Sequence, residues 1–220
     1  MIIIKNILSI IFLLQIIGVS AHAQIGGPII SREAHKVVHK NPTKLSSEIK
    51  SLAKEITFRS HTEQDKAIAI FRWIATNISY DHELRNNFQL QKEIYTSEEN
   101  VMKNALKRKK ALCGGYAFLF RELCKEAGIR SEVVHGFSKK YTSNSSKKNN
   151  PDHSWNVVKL DNHWYLLDLT LARSHGSSQN PDMYWFKTNP EYFINTHYPK
   201  EIKWTLLANP MTKTEFYRLP

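Results

Sequence analysis

Cys113, His153 and Asp168 are the three residue types that together make a nucleophilic acyl-transfer site. Cys113 follows Leu112 and precedes Gly114-Gly115, where a helical apolar period begins. A thiol at a helix N-terminus meets the positive end of the helix dipole, which favours the anionic sulfur. Two glycines beside it would let a substrate backbone come close, so Gly114 and Gly115 are expected to contact substrate. Trp155 is a candidate for the same role by stacking on a sugar or peptide, against the plainer reading of core or cleft wall. The thiol needs a base, and the base needs an acceptor that fixes its tautomer.

Hairpin arithmetic supplies both partners. If Asp161-Asn162 is a two-residue turn, residues whose numbers sum to 323 face each other across the hairpin. His153 then lies opposite Thr170, and Asp168, two positions from Thr170, points to the same face on the diagonal. A three-residue turn would place His153 and Asp168 on opposite faces. The parity of the turn therefore decides whether the carboxylate can reach the imidazole.

The elements that must position these residues can be read from periodicity. Lys44–Ile56 has Leu45, Ile49, Leu52, Ala53 and Ile56 at helical spacing. Thr62 and Asp65 form a capping pair for a second helix over Glu63–Ile78. Tyr80–Tyr95 is polar and irregular, and Ser97 caps a short helix over Glu98–Leu106. Cys113–Ala127 reads as a mostly buried helix closed by Gly128. The period then changes to two: Ser131–Phe137, Ser154–Leu160 and His163–Leu169 read as strands, and Tyr184–Phe186 as one more. Ser138–Asp152 is a long polar loop. Helices first and antiparallel strands after them make the fold class α+β.

At 220 residues, with 41% hydrophobic and 23% charged residues, the chain can build one domain around its own core, which excludes wholesale disorder and collagen-like structure. Two cysteines are too few for a disulfide scaffold. The N-terminus carries Lys5, an apolar stretch over Ile7–Val19 and the small-x-small pattern Ala21-His22-Ala23, which predicts a signal peptide cleaved after Ala23 and a secreted or periplasmic protein. No stable membrane span is expected after cleavage. Export would normally pair Cys113 with Cys124. On one helix, however, eleven residues separate them by about 16 Å, beyond disulfide reach.

The formal charge is +11, and it is uneven. Lys103–Lys110 holds five basic residues and no acid, and the loop before His153 carries Lys139, Lys140, Lys147 and Lys148. Such stretches are either solvated surface or a lure for an acidic or envelope-associated partner. Export and the lack of a binding motif argue against nucleic acid. His35 and His39, four apart, are completed by no cysteine or carboxylate cluster, so neither metal nor other cofactor is expected.

The blocks at 111–129 (ALCGGYAFLFRELCKEAGI), 153–160 (HSWNVVKL) and 163–172 (HWYLLDLTLA) resemble the transglutaminase-like superfamily: a Cys opening a helix, a His before an aromatic on a strand, then an Asp before Thr. The blocks at 65–81 and 184–207 are similar to the flanks of its kyphoscoliosis-peptidase branch. The resemblance implies a papain-like core, a Cys-bearing helix packed on an antiparallel sheet, with Cys113 as nucleophile, His153 as base and Asp168 as orienter. Leu171 departs from the Trp many members carry there, and the second oxyanion donor stays open. The implied organisation is a signal peptide (1–23), an arm and helix (24–60), the transglutaminase-like domain (61–207) and a tail (208–220). The expected activity is acyl transfer on peptide or side-chain amides. Water as acceptor makes a protease, amidase or deamidase and an amine makes a crosslinker. A non-catalytic binding module of the same fold is the alternative.

Overall fold

The computed structural model describes residues 43–139 and 149–219. The expected signal peptide, the arm bearing His35 and His39, and Lys140, Lys147 and Lys148 lie outside the described residues. Helix α1 (Lys44–Thr57) starts at Thr43, whose side chain accepts from Ser46 N. Helix α2 (Glu63–Asn77) starts at Thr62 with the reciprocal Thr62–Asp65 capping box in place. A two-residue strand β1 (Ser79–Tyr80) leads into α3 (His82–Asn86) and α4 (Phe88–Ile94), in the stretch the sequence leaves irregular. Asp81 and Asn87 cap these two helices, but each is too short to display a helical apolar period. Helix α5 (Glu98–Arg108) is capped by Ser97 and leads to β2 (Lys110–Ala111), which pairs in parallel with β1.

Helix α6 (Cys113–Glu126) is the centre of the molecule. Its residues from Gly114 to Phe120, with Leu123 and Cys124, are buried. It packs on β3 (Arg130–Ser138) and β4 (His153–Leu160), with α1, α2 and α5 around its other sides. Apolar side chains of this size stabilise a core by roughly 1.5–3 kcal/mol each on burial. Two polar links fix its place. The Tyr116 hydroxyl donates to Ile78 O at 3.0 Å, and Asn156 Nδ2 donates to Ala117 O at 3.0 Å. Gly128 ends the helix at φ +80°, a conformation open to glycine.

Strand β5 (His163–Leu167) returns from β4 with Leu160 opposite His163 and Asn156 opposite Leu167, so partners sum to 323. Asp161 and Asn162 both hold positive φ, 48° and 66°, as a twisted two-residue hairpin turn requires. The strand ends at Leu167 and does not run on to Leu169. The Asp168 side chain accepts from Thr170 N and Leu171 N and turns the chain into α7 (Leu169–His175). Thr170 is thus helical and does not face His153 across the hairpin. The expected strand at Tyr184–Phe186 is a 3-10 turn (Met183–Trp185) followed by β6 (Phe186–Thr188), because Asp182 caps the turn. Then come α8 (Pro190–Phe193), β7 (His197–Pro199), a second 3-10 turn (Ile202–Thr205) and α9 (Lys213–Arg218). The sheet has the order β6-β5-β4-β3-β7 with antiparallel neighbours throughout. The fold is α+β.

Gly136 marks where this sheet is tightest. It pairs with His153 on one side and Pro199 on the other. A Cβ there would fall under 3.0 Å from the Trp155 ring, Tyr198 O and Pro199 Cα, two of them rigid backbone. Gly136→Ala is expected to cost about 1–3 kcal/mol in urea unfolding, the range for overpacking a core. A loss below about 0.5 kcal/mol would show that the strands separate freely here.

Candidate active site

Cys113 is the first residue of α6, and its N-cap residue, Leu112, offers no side-chain cap. The first-turn N–H groups therefore keep their donor capacity. Cys113 is partly exposed and lines a cleft of about 990 Å³, together with Tyr80, His153, Thr170, Arg173 and His197. Cys124, on the same helix, is a second free thiol with no solvent exposure, and burial pushes it well above its ordinary range.

His153 is the first residue of β4, held by pairing to Gly136. Its Nε2 lies 2.6 Å from Asp168 Oδ2, and Cys113 lines the same cleft, near enough to act on the charge of the ring. With Nε2 engaged by the carboxylate, Nδ1 is the nitrogen left for the sulfur. Asp168 has no solvent exposure and all its accepting capacity is used. Oδ1 takes Thr170 N at 2.7 Å and Leu171 N at 3.1 Å. Oδ2 takes His153 and, at 2.9 Å, His197 Nε2.

His197 is the functional candidate that sequence reasoning does not find. It opens β7, is 1% exposed, and its Nδ1 lies 2.7 Å from the Thr196 hydroxyl. Its ring stacks on Phe193 at 3.9 Å and meets Trp155 edge-on at 4.9 Å. No local signal connects a histidine on a three-residue strand to a carboxylate 29 positions earlier. The link exists only because β7 joins the far edge of β3.

The charge states of the two imidazoles diverge. Burial alone would push His153 down, but the Asp168 charge and hydrogen bond outweigh it, with Cys113 adding to them, and raise it to about 10. Burial pushes His197 down, and the nearby His153 charge adds to that against the pull of Asp168. Burial would raise the Asp168 carboxyl, yet the His153 charge and both imidazole hydrogen bonds hold it below the usual carboxylate range. The arrangement at neutral pH is one imidazolium, one carboxylate and one neutral imidazole. His153, Asp168 and His197 have the donor set of a metal site, with ligand atoms within 4.8 Å of one another. Asp168 Oδ2, however, fills the point between the two Nε2 atoms, so the geometry holds protons.

The expected substrate contacts at Gly114, Gly115 and Trp155 are placed elsewhere. All three are buried behind the cleft wall. A Cβ on Gly115 would press on Ala111 Cβ at 2.9 Å, and one on Gly114 would meet the Tyr95 ring at 3.3 Å. The glycines admit neighbouring core side chains. Trp155 is 1% exposed and packs against Phe193 and the two site imidazoles, so it shapes the site from beneath.

Residues 50–169 match the family model described as the transglutaminase-like superfamily, and the chain belongs to that superfamily. It is 29% identical over 180 residues to the kyphoscoliosis peptidase of Mus musculus, covering 78% of this chain and 26% of that protein. It is 28% identical over 192 residues to hillarin of Drosophila melanogaster, covering 77% and 22%. The chain thus spans about a quarter of the length of these relatives. A solved structure described as a TGase aligns with a TM-score of 0.40 at 22% identity, over 61% of this chain and 35% of that one.

Proposed function

We propose that this protein is an exported thiol hydrolase that cleaves peptide or side-chain amides through Cys113, His153 and Asp168. The observation that carries the reading is that Cys113 and His153 line one cleft while the buried Asp168 carboxylate holds the His153 ring from behind. In this reading the Cys113 thiolate attacks the amide carbonyl carbon and the C=O electron pair moves onto oxygen. The oxyanion is received by the Cys113 backbone N–H. The His153 imidazolium then gives its proton to the leaving amine as the C–N bond breaks, and a thioester on Cys113 remains. Neutral His153 next takes a proton from water, the resulting hydroxide attacks the thioester, and the acid and thiolate are released. Asp168 holds the ring so that Nδ1 faces the sulfur throughout. Water as acceptor is favoured by the likeness to a relative named as a peptidase. Export rests on the pattern of Met1–Ala23.

The test is a set of envelope-derived peptides and casein, read by mass spectrometry. Iodoacetamide is expected to modify Cys113 in the native protein and stop hydrolysis, with Cys124 modified only after unfolding. Cys113→Ala should lower turnover by about 10³-fold or more, as loss of a nucleophile does, with unchanged circular dichroism. Hydrolysis that survives Cys113→Ala, or a Cys113 as inert as Cys124, would overturn the reading.

A further inference from the structure

We propose that Arg173, assisted by Thr170 and Arg85, forms a subsite for a carboxylate of the peptide substrate, so that the cleft selects acidic peptides. The proposal rests on the reading of Cys113 as the reacting thiol and adds a substrate class to it.

Arg173 lies on α7 five residues after its Asp168 cap and three after Thr170, so Arg173 and Thr170 share one face of the helix. Both line the cleft that holds Cys113 and His153. The Arg173 Nε atom is buried and has no hydrogen-bond acceptor, and the Thr170 hydroxyl is likewise buried without a partner. A guanidinium N–H withdrawn from water without an acceptor costs free energy that the folded chain does not return. Two such groups, one turn apart on residues that line the same cleft, are a donor pair left for an entering anion.

The carboxylates that could have answered them are taken. Asp168 is saturated by two imidazoles and two backbone N–H groups. Arg108 pairs with both Asp81 and Glu83, which leaves Arg85, two positions further on, with the Tyr80 hydroxyl at 3.3 Å as its partner. Asp182 caps the 3-10 turn through Tyr184 N. Asp152, the acid on the cleft wall, accepts from Ser138 N at 2.8 Å. Arg85 and Arg173 line the same space, and of the wall residues Lys139 turns its ammonium to Leu219 O, so the two guanidiniums outweigh the one acid there, Asp152. The guanidinium fork matches a carboxylate bidentately, which a lysine does not, and this favours a planar carboxylate. On a peptide that group is either a Glu or Asp side chain beside the scissile amide or a free C-terminus.

Binding to full-length Cys113→Ala protein, in which nothing turns over, tests the subsite. Three fluorescein-labelled peptides of one length serve as probes: one with Glu flanking a central Gln and an amidated C-terminus, its all-Gln isostere, and the isostere with a free C-terminal carboxylate. Anisotropy at low salt should show the Glu peptide at least tenfold tighter than the neutral one. Arg173→Gln should erase most of that ratio, and Lys50→Gln, which removes the same charge from exposed α1 outside the cleft, should leave it intact. Tighter binding of the free-acid isostere alone, also lost with Arg173→Gln, assigns the same subsite to a C-terminal carboxylate. Equal binding of all three peptides, or equal effects of Arg173→Gln and Lys50→Gln, overturns the proposal. Circular dichroism checks the fold, and Arg173→Lys, which keeps the charge without the fork, gives a second measure with an intermediate loss expected. A parallel arm treats the wild-type protein with Glu- and Gln-containing peptidyl chloromethyl ketones. Failure of both to alkylate Cys113 would sink the thiol-enzyme reading and leave the binding result standing.

Discussion

Asp168→Ala is expected to lower fold stability by about 3–5 kcal/mol and the proposed hydrolysis by about 10⁴-fold. The carboxylate receives four hydrogen bonds at a point with no solvent exposure. Its removal leaves two imidazoles and two helix N–H groups without an acceptor and strips the α7 cap. Breaking a buried charged pair from one side has costs in the stated range. Asp168→Asn separates the two losses. Its side-chain oxygen can still cap α7, so most of the stability should return. Its amide N–H₂ would confront the two Nε2 atoms, so His153 loses its orientation and activity stays low by about 10⁴-fold, as in other triads. Urea unfolding and Cys113-dependent hydrolysis read the two quantities. An Asn variant within tenfold of wild-type turnover would remove Asp168 from the triad.

The same site shapes stability against pH. Folded His153 titrates at about 10 and the unfolded side chain at 6.5, so between those values the folded form keeps a proton the unfolded chain has released. Its contribution is whole below about 6.5 and fades as pH rises toward 10. The Asp168 carboxyl is held below its unfolded value of 3.8, so its contribution is whole above that value and fades on acidification. Asp168→Ala should flatten both limbs of the unfolding free energy against pH.

What the sequence makes legible is local. Thr62 and Asp65 cap each other across three residues, Cys113 begins a run of helical apolar spacing, and Asp161-Asn162 fixes the hairpin register by its length alone. Elements that depend on distant partners stay hidden. Leu167-Asp168-Leu169-Thr170-Leu171 alternates like a strand, and only the carboxylate bonding to two backbone N–H groups ahead turns it into a helix. Strand β7 has three residues and ends in a proline, too short for any period, and it forms because β3 offers an open edge. A tryptophan such as Trp155 suits a core, a cleft wall and a stacking surface alike, so its residue type does not decide among them. Nearly the whole of β4 is buried, so position along the strand does not tell which side chains reach solvent.

His197 is expected to act on catalysis through Asp168, as a positioning residue. Its Nε2–H donates to the oxygen that also receives His153, and its cage of Phe193, Trp155 and Trp185 keeps the ring neutral, so it solvates the carboxylate without neutralising it. His197→Leu removes that donor. A hydrogen bond to a charged group is worth about 1.5–3 kcal/mol, so kcat should fall roughly 10–100-fold, with KM changing less because the ring, though at the cleft wall, is 1% exposed. The unshared carboxylate charge should then hold the His153 proton more tightly, so the alkaline limb of the rate profile moves to higher pH. His197→Gln, whose amide N–H can take the place of Nε2–H, should recover much of the rate and return the limb toward its wild-type position. A purely structural histidine would give a different pattern: lower thermal stability in both variants, an unmoved alkaline limb, and no kinetic distinction between Leu and Gln.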